Sequence, residues 1–203
     1  THMVEALRKL ATRRVEGLEL LSDEAIVAMC QRELPGDVTA FREILRRYEP
    51  MVFSTCSRMI GNPIDAEEVA QDALLQVFHK IHKFEGRSSF KTWLYTIVMN
   101  YCKNRISKII RKREGSEAYE KHSKIAQDTP QNTTAEDTSA TVEDAISKLP
   151  EQEREVLVMK FMSGLTLQEM SDVLEIGLSA TKMRLYRAME SFKKVFNSIQ
   201  TQD

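Results

Sequence analysis

Cysteine is scarce in this chain: Cys30, Cys56 and Cys102 are 3 in 203 residues, an odd number at wide spacing. That fits reduced, buried thiols better than a disulfide framework or a zinc knuckle. Long apolar runs are missing as well. Stretches such as AIVAMC at residues 25–30 fall far short of the roughly 20 residues that span a bilayer. The first twenty residues carry charge throughout, where a secretory signal needs an apolar centre. No membrane insertion is therefore expected, and the chain reads as cytoplasmic. Thr1-His2-Met3 reads as the remnant of a protease site, with the native start at Met3. Nor is there a large net charge, since 29 Lys and Arg against 30 Asp and Glu leave -1. A polyanion must then be met by a local cluster of cations, because the surface as a whole does not supply them.

What is present is a helical pattern. Apolar residues recur at intervals of three and four, Pro and Gly fall at boundaries, and no stretch alternates as a strand would. Residues 114–141, EGSEAYEKHSKIAQDTPQNTTAEDTSAT, hold almost no large aliphatics and are rich in Ser, Thr, Asn, Gln and acid, the composition of a flexible linker. The expectation is an all-α chain of two small helical domains, an N-terminal bundle at 22–113 and a C-terminal unit at 142–203, joined by that linker. An extension, residues 1–21, precedes them; its string VEALRKLATRRVEGLELL has the pattern of an added amphipathic helix.

The C-terminal unit carries the sharpest local signals. A helix opens at Pro150, where a missing amide proton costs nothing, and Glu151 and Glu153 lie in its first turn, where the helix dipole favours acid. Thr166 with Glu169 three residues on predicts a capping box, and Leu167, Met170, Val173 and Leu174 make one buried stripe. Gly177 is expected to make the sharp bend. A third helix follows from about Leu178, with Leu185, Ala188, Met189 and Phe192 inward. Short helix, turn and longer basic helix is the helix-turn-helix pattern, whose second helix enters the major groove. Lys182, Arg184 and Arg187 are the cations a groove would meet.

Two further stretches stand out in the N-terminal unit. Within residues 65–83, Ala66, Val69, Ala73, Val77 and Ile81 form a core stripe, while Glu68, Gln71, Asp72, Leu75 and His79 fall on another side of the same helix. Residues 84–113, FEGRSSFKTWLYTIVMNYCKNRISKIIRKR, gather cations and aromatics with no acid after Glu85, which points to a polyanionic partner. On a helix over 89–113, Phe90, Trp93, Leu94, Ile97 and Tyr101 share a core face, so most of the aromatic enrichment is packing. Thr92, Thr96, Asn100 and Lys103 lie opposite. Gly86 in the preceding loop lets backbone come close to a ligand.

The string GLTLQEMSDVLEIGLSATKMRLYRAM resembles the promoter-binding helix-turn-helix of bacterial extracytoplasmic-function (ECF) sigma factors. DVTAFREILRRYEPMVF, DAEEVAQDALLQVFHKIHKF and GRSSFKTWLYTIVMNYCKNRI resemble that group's N-terminal domain in order and spacing. The resemblance covers about residues 22–112 and 142–196. It implies a factor that binds RNA polymerase core, recognises promoter DNA, melts it and initiates transcription of a specific regulon, with an anti-sigma protein as a further partner. Residue by residue, it implies polymerase contacts at Asp65, Glu68, Gln71, Asp72 and Phe78. It implies minus-10 contacts at Phe84, Gly86, Arg87, Ser88, Ser89, Asn100, Lys103, Asn104, Lys108 and Arg111, with a flipped base against the loop and Asn100, and Arg105, Lys112 and Arg113 as further phosphate partners. Minus-35 contacts fall on Ser179, Ala180, Lys182, Met183, Arg184 and Arg187. The family commonly has Ser, then Gly-Thr-Val-Lys-Ser-Arg, at the start of this helix; here Gly177 is followed by Ser179-Ala180-Thr181-Lys182-Met183-Arg184, so the family's base preference does not transfer.

Two other classes compete. A helix-turn-helix repressor or activator would bind duplex DNA without polymerase. An enzyme would need a constellation, and the best on offer is His79 with His82 as a metal edge; these sit among Lys80 and Lys83, with no carboxylate pair, nucleophile elbow or phosphate loop. Neither a cofactor nor a catalytic activity is expected.

Overall fold

The computed structural model describes residues 17–120 and 137–201, with side-chain surroundings for 17–112 and 142–201. Every regular element among the described residues is helical, as expected. In the N-terminal part, α1 (Asp23–Glu33) starts where the Ser22 hydroxyl accepts a hydrogen bond from the Ala25 amide. Helix α2 (Thr39–Ile60) ends at Gly61, whose φ of 81° only glycine adopts without strain. Helix α3 (Pro63–Lys80) is capped by Asn62, whose side-chain oxygen accepts from the Ile64 and Asp65 amides at 3.0 Å each, with Pro63 in the first turn. Helix α4 (Phe90–Glu120) follows the loop that carries Gly86.

The C-terminal part comprises α5 (Asp137–Ser147), α6 (Glu151–Leu157), a π turn (Val158–Met162), α7 (Leu167–Leu174) and α8 (Leu178–Gln200). Helix is thus carried into both ends of the stretch read as a linker. EGSEAYE contains good helix formers, so α4 continues to Glu120, and Asp137 sits where the α5 dipole favours acid. Residues 121–136, and with them the centre of that linker, lie outside the described residues, as do residues 1–16 of the extension. Its last residues form a 3-10 turn, Leu18–Leu20, rather than an amphipathic helix. The Arg47 guanidinium holds that turn by donating to the Leu18 and Leu21 carbonyls, while ion-paired to Asp23 and Glu43 at 2.8 Å each. Hydrogen bonds from Arg46, then Arg47, outweigh the burial of Glu43 and hold its carboxyl below the usual range.

The two halves share one apolar core. Helices α2, α3 and α4 pack on one another, α8 packs on α5, α6 and α7, and α4 rests on α7 while α2 meets α5, α6 and the π turn. Met59, Tyr95 and Met99 from the first half and Val156, Met159 and Leu165 from the second are all at most 1% exposed within the same cluster. Burial of each such side chain stabilises by about 1.5–3 kcal/mol. The expected stripe of Ala66, Val69, Ala73, Val77 and Ile81 is buried throughout. On α4 the inward face is wider than its periodicity indicates: Tyr95 and Thr92 are buried, although Thr92 was expected to face away, because α4 is covered by α2 and α3 on one side and α7 on another. Trp93, Ile97 and Tyr101 are only half-buried.

The three cysteines are buried and free, as expected. Cys56 and Cys102 lie 3.7 Å apart, sulfur to sulfur, and this contact together with burial pushes the Cys56 thiol up; burial pushes Cys30 up to about 12.

One turn is built differently from the sequence expectation. The residue in the left-handed conformation is Glu175 (φ 54°), and Gly177 has the ordinary φ of -62°. The helix α7 ends in a Schellman motif, in which the Ile176 amide donates to the Ser171 carbonyl while the Ser171 hydroxyl donates to the Ile176 carbonyl at 2.7 Å. A Cβ at Gly177 would meet nothing within 4 Å. Glu175→Gly should therefore raise stability by about 1 kcal/mol by relieving the left-handed penalty, and Gly177→Ala should leave the urea midpoint nearly unchanged. A clear drop in the urea midpoint for Gly177→Ala, or a loss of stability in Glu175→Gly, would overturn this description of the turn.

Candidate promoter and polymerase interface

Three faces gather the residues singled out in sequence. The first is the acidic edge of α3. Glu68 and Asp72 are exposed, Asp65 and Gln71 half-exposed, and the Gln71 amide donates to Glu67 at 3.1 Å. Phe78 is turned further inward, its ring edge-on to Phe41 with centroids 5.0 Å apart. Arg105, expected among the phosphate partners, instead bridges Asp65 at 3.3 Å and Glu68 at 2.5 Å. The acidic face thus carries a cation of its own.

The second face begins at the loop before α4. Phe84 packs between Phe90 and Trp93, with centroids 5.7 and 5.4 Å away, and Arg87 pairs with Glu85 at 2.5 Å while staying largely in solvent. Lys83, Phe84, Glu85, Arg87, Ser88 and Trp93 line a cleft of about 260 Å3. Gly86, with φ 71°, lets the loop turn here. Asn100 does not line the cleft. Expected opposite Trp93, it instead stands exposed on nearly the same side of α4, because seven residues make almost two full turns, about 10 Å further along the axis, where Asn104, Lys108 and Arg111 continue an exposed polar stripe. The side chain of Arg113 lies outside the described residues.

Some residues of this face are engaged by the C-terminal half. Lys103 pairs with Glu155 at 2.7 Å; the carboxylate is buried and the ammonium about one-third exposed. Ser89 donates to Glu169 at 3.2 Å, and Lys91 to the Gly164 carbonyl at 3.0 Å. Glu169 also closes the expected capping box, accepting from the Thr166 amide at 2.8 Å while its own amide donates to the Thr166 hydroxyl. Burial would raise its carboxyl, but the hydrogen bonds from Thr166 and Ser89 win and hold it below the ordinary 4.5.

Sequence reasoning missed several residues that tie the halves together. Arg154 donates to the Met59 carbonyl at the end of α2 and to the Ser147 and Leu149 carbonyls, satisfying groups that helix ends leave unpaired. Burial lowers its own pKa. Thr55 and Ser163, both fully buried, meet at 3.1 Å beside the buried Tyr95 hydroxyl. Ser163 reaches that position at the end of the π turn, where its amide donates to the Val158 carbonyl. The cross-half partners Met59 with Arg154 and Thr55 with Ser163 are 95 and 108 positions apart in the chain, beyond the reach of local periodicity.

The third face is the start of α8. Ser179, Ala180, Lys182, Met183 and Arg187 are exposed, Arg184 is half-buried, and Thr181 and Ala188 are the buried contacts. Leu185 and Phe192 are half-buried, whereas Met189 is largely exposed rather than inward; it borders an apolar cleft of about 660 Å3 with Ile146, Leu157, Phe161 and Phe192. His79 and His82 are exposed, and no group of three metal-ligating side chains occurs among the described residues. No described helix is long and apolar enough to cross a membrane.

Comparison with known proteins agrees with this layout. The model of sigma-70 region 2 matches residues 44–113, and that of sigma-70 region 4 matches residues 139–192. The ECF RNA polymerase sigma factor SigW of Bacillus subtilis is 32% identical over 168 residues, 78% of this chain and 90% of that protein. The ECF RNA polymerase sigma-E factor of Escherichia coli is 28% identical over 182 residues, 85% of this chain and 93% of that protein. The solved structure of CnrH in complex with the cytosolic domain of CnrY shares the fold, with a TM-score of 0.64 at 19% identity over 87% of this chain and 97% of that one. The sigma factor RpoE of Bartonella quintana, solved with the anti-sigma factor NepR, gives a TM-score of 0.62 at 22% identity over 77% and 96%. An acidic helix edge, a cleft and cationic stripe, and an exposed helix-turn-helix in one all-α chain are accounted for together: the chain belongs to the ECF sigma factors, alternative sigma factors that direct RNA polymerase to specific promoters.

Proposed function

We propose that the three faces divide the work of promoter recognition. The acidic edge of α3, with Asp65, Glu68, Gln71 and Asp72, grips a basic helical element of the core polymerase. The cleft formed by Phe84 to Ser88 with Trp93 takes one unpaired base of the minus-10 element, and Asn100 and Asn104 contact the strand beyond it. Lys108, Arg111 and Lys112 neutralise its phosphates. The start of α8, with Ser179, Ala180, Lys182, Met183, Arg184 and Arg187, lies in the major groove at minus-35. The chain acts in the cytoplasm, performs no chemistry of its own, and is a target for an anti-sigma protein.

The observation that supports this reading is the cleft at the start of α4 followed, further along the same helix, by the exposed stripe of Asn100, Asn104, Lys108 and Arg111, since a base pocket and a phosphate track on one element are what an unpaired strand requires. A duplex-binding repressor has no use for such a pocket. The packed arrangement is then a resting form. Elements named minus-35 and minus-10 lie some 25 base pairs, or about 85 Å, apart on duplex DNA. A compact chain of this length is only about 45 Å across. The halves must therefore separate on the promoter, releasing Ser89, Lys91 and Lys103 from Glu169, Gly164 and Glu155.

Substitutions separate the base pocket from the phosphate track. Asn100→Ala should reduce open-complex formation on the normal promoter, with much less effect on a template already unpaired and altered at the flipped base. Lys108→Ala and Arg111→Ala should weaken binding to all templates alike, each lowering the log-log salt slope by roughly 0.7. Permanganate footprints and filter binding at several salt concentrations read both. Indistinguishable behaviour of the two sets would reduce the stretch to an electrostatic track.

A further inference from the structure

The exposed side of α8 carries an apolar group in the middle of its polar contacts. Met183 is 53% exposed, with Ser179 one turn before it, Arg187 one turn after it and Lys182 beside it. Thr181 and Ala188 face the protein, so Met183 is directed away from it. Tyr186, 63% exposed, adds a second apolar surface next to it. The buried stripe of α7 and α8 is already filled by Met170, Val173, Thr181 and Ala188, so Met183 contributes nothing to the core.

In the major groove an A·T pair presents three hydrogen-bonding groups and one apolar feature, the C5-methyl of thymine, which a G·C pair lacks. A thioether at the centre of the groove-facing side has no hydrogen bond to give and is flexible enough to fill an irregular gap. Lys182 and Arg187 supply the donors for guanine edges or phosphates on either side. We propose that Met183 is a specificity-determining residue that reads a thymine methyl group in the upstream promoter element. This rests on the reading that the start of α8 enters the major groove, and it specifies which base chemistry the centre of that helix selects. It also gives a physical meaning to the departure at this position, where the family commonly has Ser.

The test uses the complete chain bound to polymerase core and its strongest genomic promoter, with each thymine of the upstream element replaced in turn by deoxyuridine. That exchange removes one methyl group and keeps pairing and the O4 acceptor. Wild type should show one position at which deoxyuridine weakens binding about fourfold, the equivalent of ~0.8 kcal/mol for one buried carbon. Met183→Ala should bind the thymine promoter more weakly and lose no further affinity on deoxyuridine there. Cytosine at that position should bind poorly and 5-methylcytosine should recover part of the loss. Because Met183 is exposed, the variant should melt with wild type. Equal binding of wild type to every deoxyuridine template, or a Met183→Ala variant that keeps full methyl sensitivity, overturns the proposal. Lys182→Ala and Arg187→Ala separate the two failures: if they weaken binding to the upstream duplex while no methyl effect exists, only the role of Met183 falls. If they have no effect, α8 is not in the groove and both readings fall.

Discussion

Lys103→Ala is expected to destabilise the folded chain by about 3 kcal/mol, far more than the removal of an ordinary surface lysine. The Glu155 carboxylate it pairs with is 3% exposed, so the substitution leaves a charge buried without its partner. The reverse change is milder. In Glu155→Gln the ammonium, at 38% exposure, turns to solvent, and a neutral amide replaces the carboxylate at a cost of about 1 kcal/mol. Replacing both, Lys103→Met with Glu155→Leu, should return to within about 1 kcal/mol of wild type, because a buried pair gains little over apolar groups of similar size. Urea unfolding at constant slope measures all three. Equal losses for the two single variants would mean that the halves do not meet through this pair in the free chain. A loss of about 3 kcal/mol is a large share of the 5–15 kcal/mol that holds a domain folded.

Charge reversal on the acidic edge should act in the opposite way, leaving the fold and removing the partner. Glu68→Lys with Asp72→Lys is expected to weaken association with core polymerase at least about 100-fold, since like charges brought together across an interface cost several kcal/mol. Asp72 is exposed and Glu68 is 59% exposed, and Arg105 keeps Asp65 as a partner, so thermal melting should fall only slightly. Fluorescence anisotropy with purified core reads the affinity, and circular dichroism reads the melt. Undiminished core binding would remove the docking role of α3, and collapse of the fold would make the face structural.

The parts of the architecture that depend on neighbours in sequence were legible in it. The stripe from Ala66 to Ile81, the Thr166 and Glu169 capping box, the Pro150 helix start and the helix-turn-helix all rest on three- and four-residue spacings or on caps. Three features were not. Thr92 and Tyr95 are buried because α4 is clasped on two sides, and a single-helix pattern shows one face only. Glu175 takes the left-handed position although a glycine two residues later offered itself, since the Ser171 and Ile176 hydrogen bonds place the turn earlier. The polar seam of Lys103, Arg154, Glu155, Thr55 and Ser163 joins residues distant in the chain; each alone reads as a surface residue. Of the site residues, the loop from Phe84 to Ser88 forms a cleft, but Asn100 stands two turns away from it and Arg105 belongs to the acidic edge instead.

This chain should open promoters only together with polymerase. Run-off transcription over a genomic promoter library, with purified core and the full chain, tests it directly when paired with permanganate footprints of the same templates. New start sites that share an upstream duplex motif and a downstream melted segment are expected, with no reactive thymines when the chain is added without core. Tight occupation of a duplex operator by the chain alone, with core and chain together starting nowhere that core alone does not, would contradict it.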